Sequence, residues 1–247
     1  MSRKPGTNLG LDPYYRGRRL KMWELCSGTK TVAGQFKDMG WQTWTIDIEK
    51  EFDPDHTGDL THLDAQDLIR ISGFKPDFIW FSPPCTVYSV ANLGRSPPHF
   101  RQRHDLKLIP VSPEALESNR FILHGIDIIN EINPAYFVIE NPRGILRTQS
   151  MMKQFPRETV TYCQYGFDYM KPTDLWGRFP LSWTAKSCRA GSSCHVSSPR
   201  GSDTGLQARK GAHARGQVPP ALALEIARLS TLDFPMSSWV TLEQWMD

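Results

Sequence analysis

The sequence predicts an α/β fold: a mainly parallel sheet with helices on both faces and one small irregular segment near the C-terminus. Three observations carry this. Short apolar runs alternate with helical patterns from residue 20 to residue 163, the signature of strands joined by crossover helices. PDFIWFS (76–82) is apolar at successive positions, so it reads as a strand buried on both faces and central in the sheet. From Thr184 to Gly216 the chain turns rich in Ser and Gly, with scattered cysteines, and reads as loop or small subdomain.

The elements follow in order. LKMWELC (20–26) is a first strand, and SGTKTVAGQFKDMG continues it into a helix capped by Ser27 or Thr29 and ending at Gly40. WTIDI (44–48) is the second strand, and GDLTHLDAQDLIRISG holds a short helix between glycines. The PDFIWFS strand must stop at Ser82, because Pro83 and Pro84 remove backbone donors. The longest helix begins at Pro113, a favourable first helical position, with Leu116, Ile122, Leu123, Ile126 and Ile129 as its apolar stripe. AYFVIE (135–140) is a further buried strand that ends at a break, ENPRG, and TVTYC (159–163) follows it. A last helix starts on proline in PPALALEIARL. These boundaries divide the chain into a basic tail (1–19), one main domain (20–183 plus 216–247) and the irregular segment (184–215).

Composition narrows the function classes. With 39% hydrophobic and 22% charged residues the chain falls among globular proteins. No apolar run approaches the roughly 20 residues of a membrane span, and MSRKPGTNLG is no secretory signal, so a cytoplasmic protein without membrane contact is expected. Five cysteines without an export signal argue for thiols or metal ligands over a disulfide framework. The net charge of +3 is modest but uneven. Arg3, Lys4, Arg16, Arg18, Arg19 and Lys21 crowd the N-terminus, and six more cations fall between Lys186 and Arg215. Such basic segments suit a polyanion such as nucleic acid, and equally a solvated tail and loop.

Candidate chemistry gathers at the carboxyl ends of the strands, where open parallel sheets place their ligands. Gly28 stands where backbone must approach a ligand, with Glu24 on the first strand, Asp47 closing the second, and Asp59 in GDLT along the same edge. GxGxxG is absent, so three polar groups on one edge favour an adenosine-type cofactor without a pyrophosphate. Cys85 lies in a rigid turn just past the central strand and is either a buried thiol or a nucleophile. Glu140 ends the neighbouring strand and faces the same cleft.

The series ELCSGT, TIDI, GDLT, FSPPCTVYS, VIENPRG and GQVPPALALEIA resembles the motif order of the DNA cytosine-5 methyltransferases, in particular their short phage-type members. The resemblance implies a Rossmann-like S-adenosylmethionine-dependent methyltransferase fold in the cytoplasm of a prokaryotic or phage-infected cell. It also implies methyl transfer to cytosine C5 through a covalent Cys–C6 adduct. On the matching positions, S-adenosylmethionine would meet Glu24, Cys26, Ser27, Gly28 and Thr29, then Asp47 and Ile48, Asp59 and Leu60, and Ser82 and Pro83. Cys85 would be the nucleophile and Glu140 the acid, with Asn141 holding the loop that presents it. The family's arginine-rich motif is missing; Lys171 and Arg178 are the cations available in its place, and Lys171 is the choice. The partner would be DNA with a flipped cytosine, held by Tyr88, Arg101, Arg103, Arg178, Arg209 and Lys210. No obligate protein partner is expected.

The physical need for these groups can be stated independently. Carbon 5 of cytosine is a poor nucleophile, and a thiolate added at carbon 6 turns the ring into an enamine with electron density at carbon 5. A carboxylic acid beside the ring can supply the proton at N3. Three other readings stay open: an amino methyltransferase, an RNA or nucleotide cytosine methyltransferase, and a nucleic-acid-binding protein without turnover. Against the amino enzymes, Cys85 stands where they carry a stacking aromatic residue.

The segment 184–215 takes the place of the family's target-recognition domain, so sequence selectivity should be low or short-ranged. Its Cys188, Cys194 and His195, with Cys163 before it, do not match a standard zinc knuckle, and free thiols are the favoured expectation. A zinc clip would nonetheless order a segment that lacks an apolar core.

Overall fold

The computed structural model describes residues 14–15, 17–90, 94, 96–103, 108–196 and 216–234. Its main sheet has seven strands: β1 Lys21–Leu25, β2 Gln42–Asp47, β3 His56–Thr57, β4 Phe78–Phe81, β5 Tyr136–Pro142, β6 Arg157–Thr161 and β7 Pro172–Arg178. The helices are α1 Thr31–Asp38, α2 Ala65–Ser72, α3 Pro113–Ile132 and α4 Pro220–Leu232. Across the sheet the order is β6-β7-β5-β4-β1-β2-β3. Strands β1 to β5 run parallel, whereas β7 is antiparallel to both β5 and β6. The chain builds outward from β1 through β2 to β3, then returns to lay β4 on the other side of β1. That reversal is a topological switch point, and it opens a crevice at the carboxyl ends of β1 and β4.

Two apolar layers sandwich the sheet. Trp23, Leu25, Ile79 and Phe81 face one way, onto Leu68 of α2 and Ile122, Ile126 and Ile129 of α3. Met22, Phe78 and Trp80 face the other, onto Phe36 of α1 and Leu222 and Ile226 of α4. Alternation along a pleated strand sends neighbours to opposite layers, which is why MW and FIWF carry no polar residue.

Several boundaries differ from the sequence expectation. Helix α1 starts at Thr31, not behind a Ser27 or Thr29 cap: its N-cap is Lys30 in the left-handed region (φ 56°). The residues before it are committed elsewhere, since Gly28 (φ 46°) gives its N–H to the Asp47 carboxylate at 2.7 Å. Ser112 caps α3 by accepting from Ala115 N, with Pro113 at the first position as expected. Leu116 and Leu123 do not join the buried stripe; each is 43% exposed, and Ala115, Gly125 and Ile128 are buried in their stead. Strand β5 does not break at Glu140 but runs to Pro142, because β7 pairs with it residue for residue, Leu175 opposite Glu140 and Thr173 opposite Pro142. After Cys85 a short ribbon pairs Phe100–Gln102 with Leu108–Pro110. Among the described residues no helix is long and apolar enough to cross a membrane.

Candidate active site

The crevice is a cavity of about 610 Å³ walled by the loops that leave β1, β2, β4 and β5. On one wall, Cys26, Ser27, Gly28 and Thr29 follow β1, with Glu24 behind them. Glu24 is buried and accepts Ala33 N–H at 2.7 Å, and burial pushes its carboxyl up to about 8. Burial likewise raises the Cys26 thiol, with Asp47 and Asp59 adding to the effect, so it stays neutral. The Ser27 hydroxyl is buried without a hydrogen-bond partner among the described residues.

The second wall holds Asp47, Ile48, Asp59 and Leu60. Asp47 accepts Gly28 N–H on one oxygen and Glu49 N–H, at 2.9 Å, on the other. These two bonds orient its carboxylate at the tip of β2. Ile48 is 64% exposed, a large apolar side chain on an otherwise polar rim. Asp59 accepts from the Thr61 hydroxyl and N–H, which hold it below the usual carboxylate range. Lys30 pairs with Asp53.

The third wall carries Ser82, Pro83, Cys85, Glu140 and Lys171. Cys85 is exposed. Its turn is fastened to two strands, by Ser82 N–H to Leu25 O at 3.1 Å and by the Asn141 amide to Pro83 O at 3.2 Å. Asn141 is thus fully buried behind the wall and does not line the cavity. Glu140 is buried and accepts from Tyr162 Oη at 2.8 Å. Lys171 is buried, which lowers its pKa, while Glu140 and Cys85 act in the opposite direction and favour its charge. Its ammonium also sits 4.6 Å from the centre of the Tyr162 ring.

Two expectations are corrected. Tyr88 is no surface contact: it is 1% exposed, its hydroxyl donates to Asn119 Oδ1 at 2.8 Å, and its ring packs on Phe100. Arg178 lies at the far end of the sheet, beside Phe137 near the start of β5, where it donates to Pro134 O at 2.8 Å and helps close the end of α3. Arg101 and Arg103 are exposed on and next to the ribbon after Cys85, outside the cavity. Arg209 and Lys210 lie outside the described residues.

The sequence reading missed Ser118 and Phe121 of α3, which line the cavity from the helix side. Neither belongs to the predicted stripe, and a serine and a partly buried phenylalanine on a helix give no local signal of a ligand cavity. Gln217 and Val218, just before α4, also reach the cavity. Cys163, Cys188, Cys194 and His195, dispersed in sequence, converge elsewhere, at the sheet edge formed by β6, with their donor atoms all within 4.8 Å of one another.

Comparison with known proteins adds a family. A family model described as C-5 cytosine-specific DNA methylase matches residues 21–167. Among solved structures, a candidate DNA modification methyltransferase encoded within an E. coli prophage is 15% identical with a TM-score of 0.45, covering 64% of this chain and 46% of that one. The S. pombe Dnmt2 methyltransferase is 17% identical with a TM-score of 0.43, covering 67% and 53%. A Spodoptera frugiperda DNMT2 mutant is 18% identical with a TM-score of 0.42, covering 72% and 57%. The chain therefore matches only about half the length of these structures. A search of curated proteins finds no match.

Proposed function

We infer the activity from a membership: this chain belongs to the C-5 cytosine-specific DNA methylase family, and we propose that it transfers a methyl group from S-adenosylmethionine to carbon 5 of cytosine in DNA. The observation that supports this best is the meeting of Cys85, Glu140 and Lys171 in one cavity with the acidic edge of Asp47 and Asp59.

The cavity suits the cofactor. Oriented by two backbone N–H groups, Asp47 keeps lone pairs for ribose hydroxyls. Exposed Ile48 offers an apolar face to a purine, and Asp59, held ionised, an acceptor for an exocyclic amine. The unpartnered Ser27 hydroxyl points to a polar ligand group beside it. When bound, S-adenosylmethionine supplies an electrophilic methyl on a cationic sulfonium.

The chain's own residues would handle the ring. Cys85 adds through sulfur to C6, the C5=C6 π pair moves toward C5, and Glu140 gives a proton or strong hydrogen bond to N3. After methylation at C5, a base takes the C5 proton, the double bond re-forms and the thiolate leaves. Lys171, lining the same wall, would offset the charge of the attacking Cys85 thiolate in a poorly solvated corner. A cytosine within a duplex must be flipped out to reach Cys85, at a cost of a few kcal/mol. Arg101 and Arg103, exposed on and next to the ribbon that follows Cys85, would hold its flanking phosphates. Residues 184–215 would serve as a reduced recognition segment.

DNA carrying 5-fluorocytosine tests the mechanism, since fluorine cannot leave C5 as a proton does. With S-adenosylmethionine, the wild type should form a denaturation-stable adduct mapped to Cys85, and Cys85→Ser should form none. A wild type that binds the cofactor and DNA yet forms no adduct would overturn the covalent mechanism.

A further inference from the structure

Away from the cavity, four soft donors converge at the β6 edge, and we propose that Cys163, Cys188, Cys194 and His195 bind one zinc ion as a closed structural site. Zinc bonds of about 2.3 Å to sulfur and about 2.0 Å to nitrogen, disposed tetrahedrally, set the donor atoms roughly 3.4 to 3.8 Å apart. The cluster is close to that size, with all four donor atoms within 4.8 Å of one another. Cys163 Sγ lies 3.2 Å from Cys188 Sγ and 3.7 Å from Cys194 Sγ, and His195 Nδ1 lies 3.4 Å from Cys194 Sγ and 3.7 Å from Cys188 Sγ.

The donor set decides the metal and the role. Three thiols and one imidazole are ligands for zinc, whereas calcium, magnesium and manganese take oxygen. Four protein ligands leave no position for water or substrate, so the site holds structure rather than performing chemistry. Adjacent Cys194 and His195 can both face the ion because the chain coils tightly here, beginning at Gly191 in the left-handed region (φ 84°).

What the ion would hold is also visible. Cys163 follows β6 in the short 3-10 turn Tyr162–Tyr165. The stretch after β7 is laid along it: Thr161 N–H donates to Lys186 O at 3.1 Å, Cys188 N–H to Thr161 Oγ1 at 2.9 Å, and Val196 N–H to Asp168 O at 2.9 Å. From Lys186 to Val196 this stretch adds no residue to the buried core, and Val196 is 68% exposed. A metal would replace the missing core, as in small metal-stapled domains. It would pin the root of residues 197–215 to the turn whose Tyr162 bonds Glu140, joining the recognition segment to the site wall.

Metal analysis of protein purified without added metal tests this. The expected content is one zinc per chain in the wild type and in Cys85→Ser, and near zero in Cys188→Ser and Cys194→Ser. The Cys85→Ser protein separates this outcome from the methyl-transfer reading, since it should lose the adduct and keep the zinc. Because the serine variants could fail to fold, the wild type carries an independent arm. Replacement of its metal by cobalt should give the intense visible bands of a tetrahedral thiolate site. A wild type that contains no zinc and takes up neither zinc nor cobalt at micromolar concentration would overturn the proposal, as would a Cys163–Cys188 disulfide in the non-reduced peptide mass map.

Discussion

Tyr162 Oη donates a 2.8 Å hydrogen bond to Glu140 Oε1, and both side chains are buried. Burial and the neighbouring Glu140 hold the phenol far above its usual range, so it remains a donor at every working pH. The proposed acid is therefore kept in one orientation by a residue from the β6 edge, three elements of the sheet away from the nucleophile's own strand.

Removing that donor should impair turnover without unfolding the protein. A hydrogen bond to a carboxyl group is worth about 1.5 to 3 kcal/mol, which corresponds to roughly a 10- to 100-fold change in rate. Tyr162→Phe should lower the single-turnover methylation rate by that factor while DNA affinity stays unchanged. Equal losses in binding and rate would show that Tyr162 supports the wall as a whole.

Much of this site could be read in the sequence because it is built from strand ends. A buried strand closed by SPPC, a second closed by ENP, and acids at the tips of two others state their positions through local rules alone: proline stops a strand, and parallel strands point their carboxyl ends the same way. What local rules do not encode is tertiary pairing. Strand β7 was invisible because PTDLWGR is not apolar throughout, and it exists through its pairing with β5 and β6. Tyr88 and Arg178 look like DNA contacts in a linear reading, but the fold buries one and sends the other to the opposite end of the sheet. Cys163 stands 25 residues before Cys188, and tertiary bonds such as those between Thr161 and residues 186–188 bring them together.

Lys171 should matter through charge. It is buried in the wall that carries Glu140 and Cys85, and its charge would favour the thiolate form of the proposed nucleophile. Lys171→Met should slow alkylation of Cys85 by iodoacetamide at neutral pH by about 10-fold or more, a loss of roughly 1.4 kcal/mol. Lys171→Arg should restore part of it. Unchanged alkylation in Lys171→Met would remove Lys171 from the nucleophile's environment.

Gly144 should be intolerant for a steric reason. A Cβ there would lie 2.3 Å from the carbonyl oxygen of Tyr88, so the loop after β5 touches the backbone of the loop that carries Cys85. Neither loop can yield without moving the cavity wall. Gly144→Ala should therefore lower thermal stability, by about 1 to 3 kcal/mol as for other overpacked sites, and reduce methylation further than the stability loss explains. An unchanged melting temperature with full activity would show that the two loops separate freely.

Glu24 should give the protein a distinctive pH dependence. Its folded carboxyl is raised by burial from its ordinary value of 4.5 to about 8. Between those two values the unfolded chain has lost the proton and the folded chain keeps it, so stability falls as pH rises through the window. Below 4.5 both states hold the proton, and above 8 both have released it, so this contribution is flat at either end. At 1.4 kcal/mol per unit the loss across the window is on the order of a few kcal/mol. In Glu24→Gln the amide carries no such proton and can still accept from Ala33 N–H, so the window should vanish. Denaturant unfolding from pH 5 to pH 8 should show the wild type losing stability relative to Glu24→Gln at each step upward. Parallel curves for the two proteins would mean that Glu24 is ionised in the folded state and compensated by water or a cation.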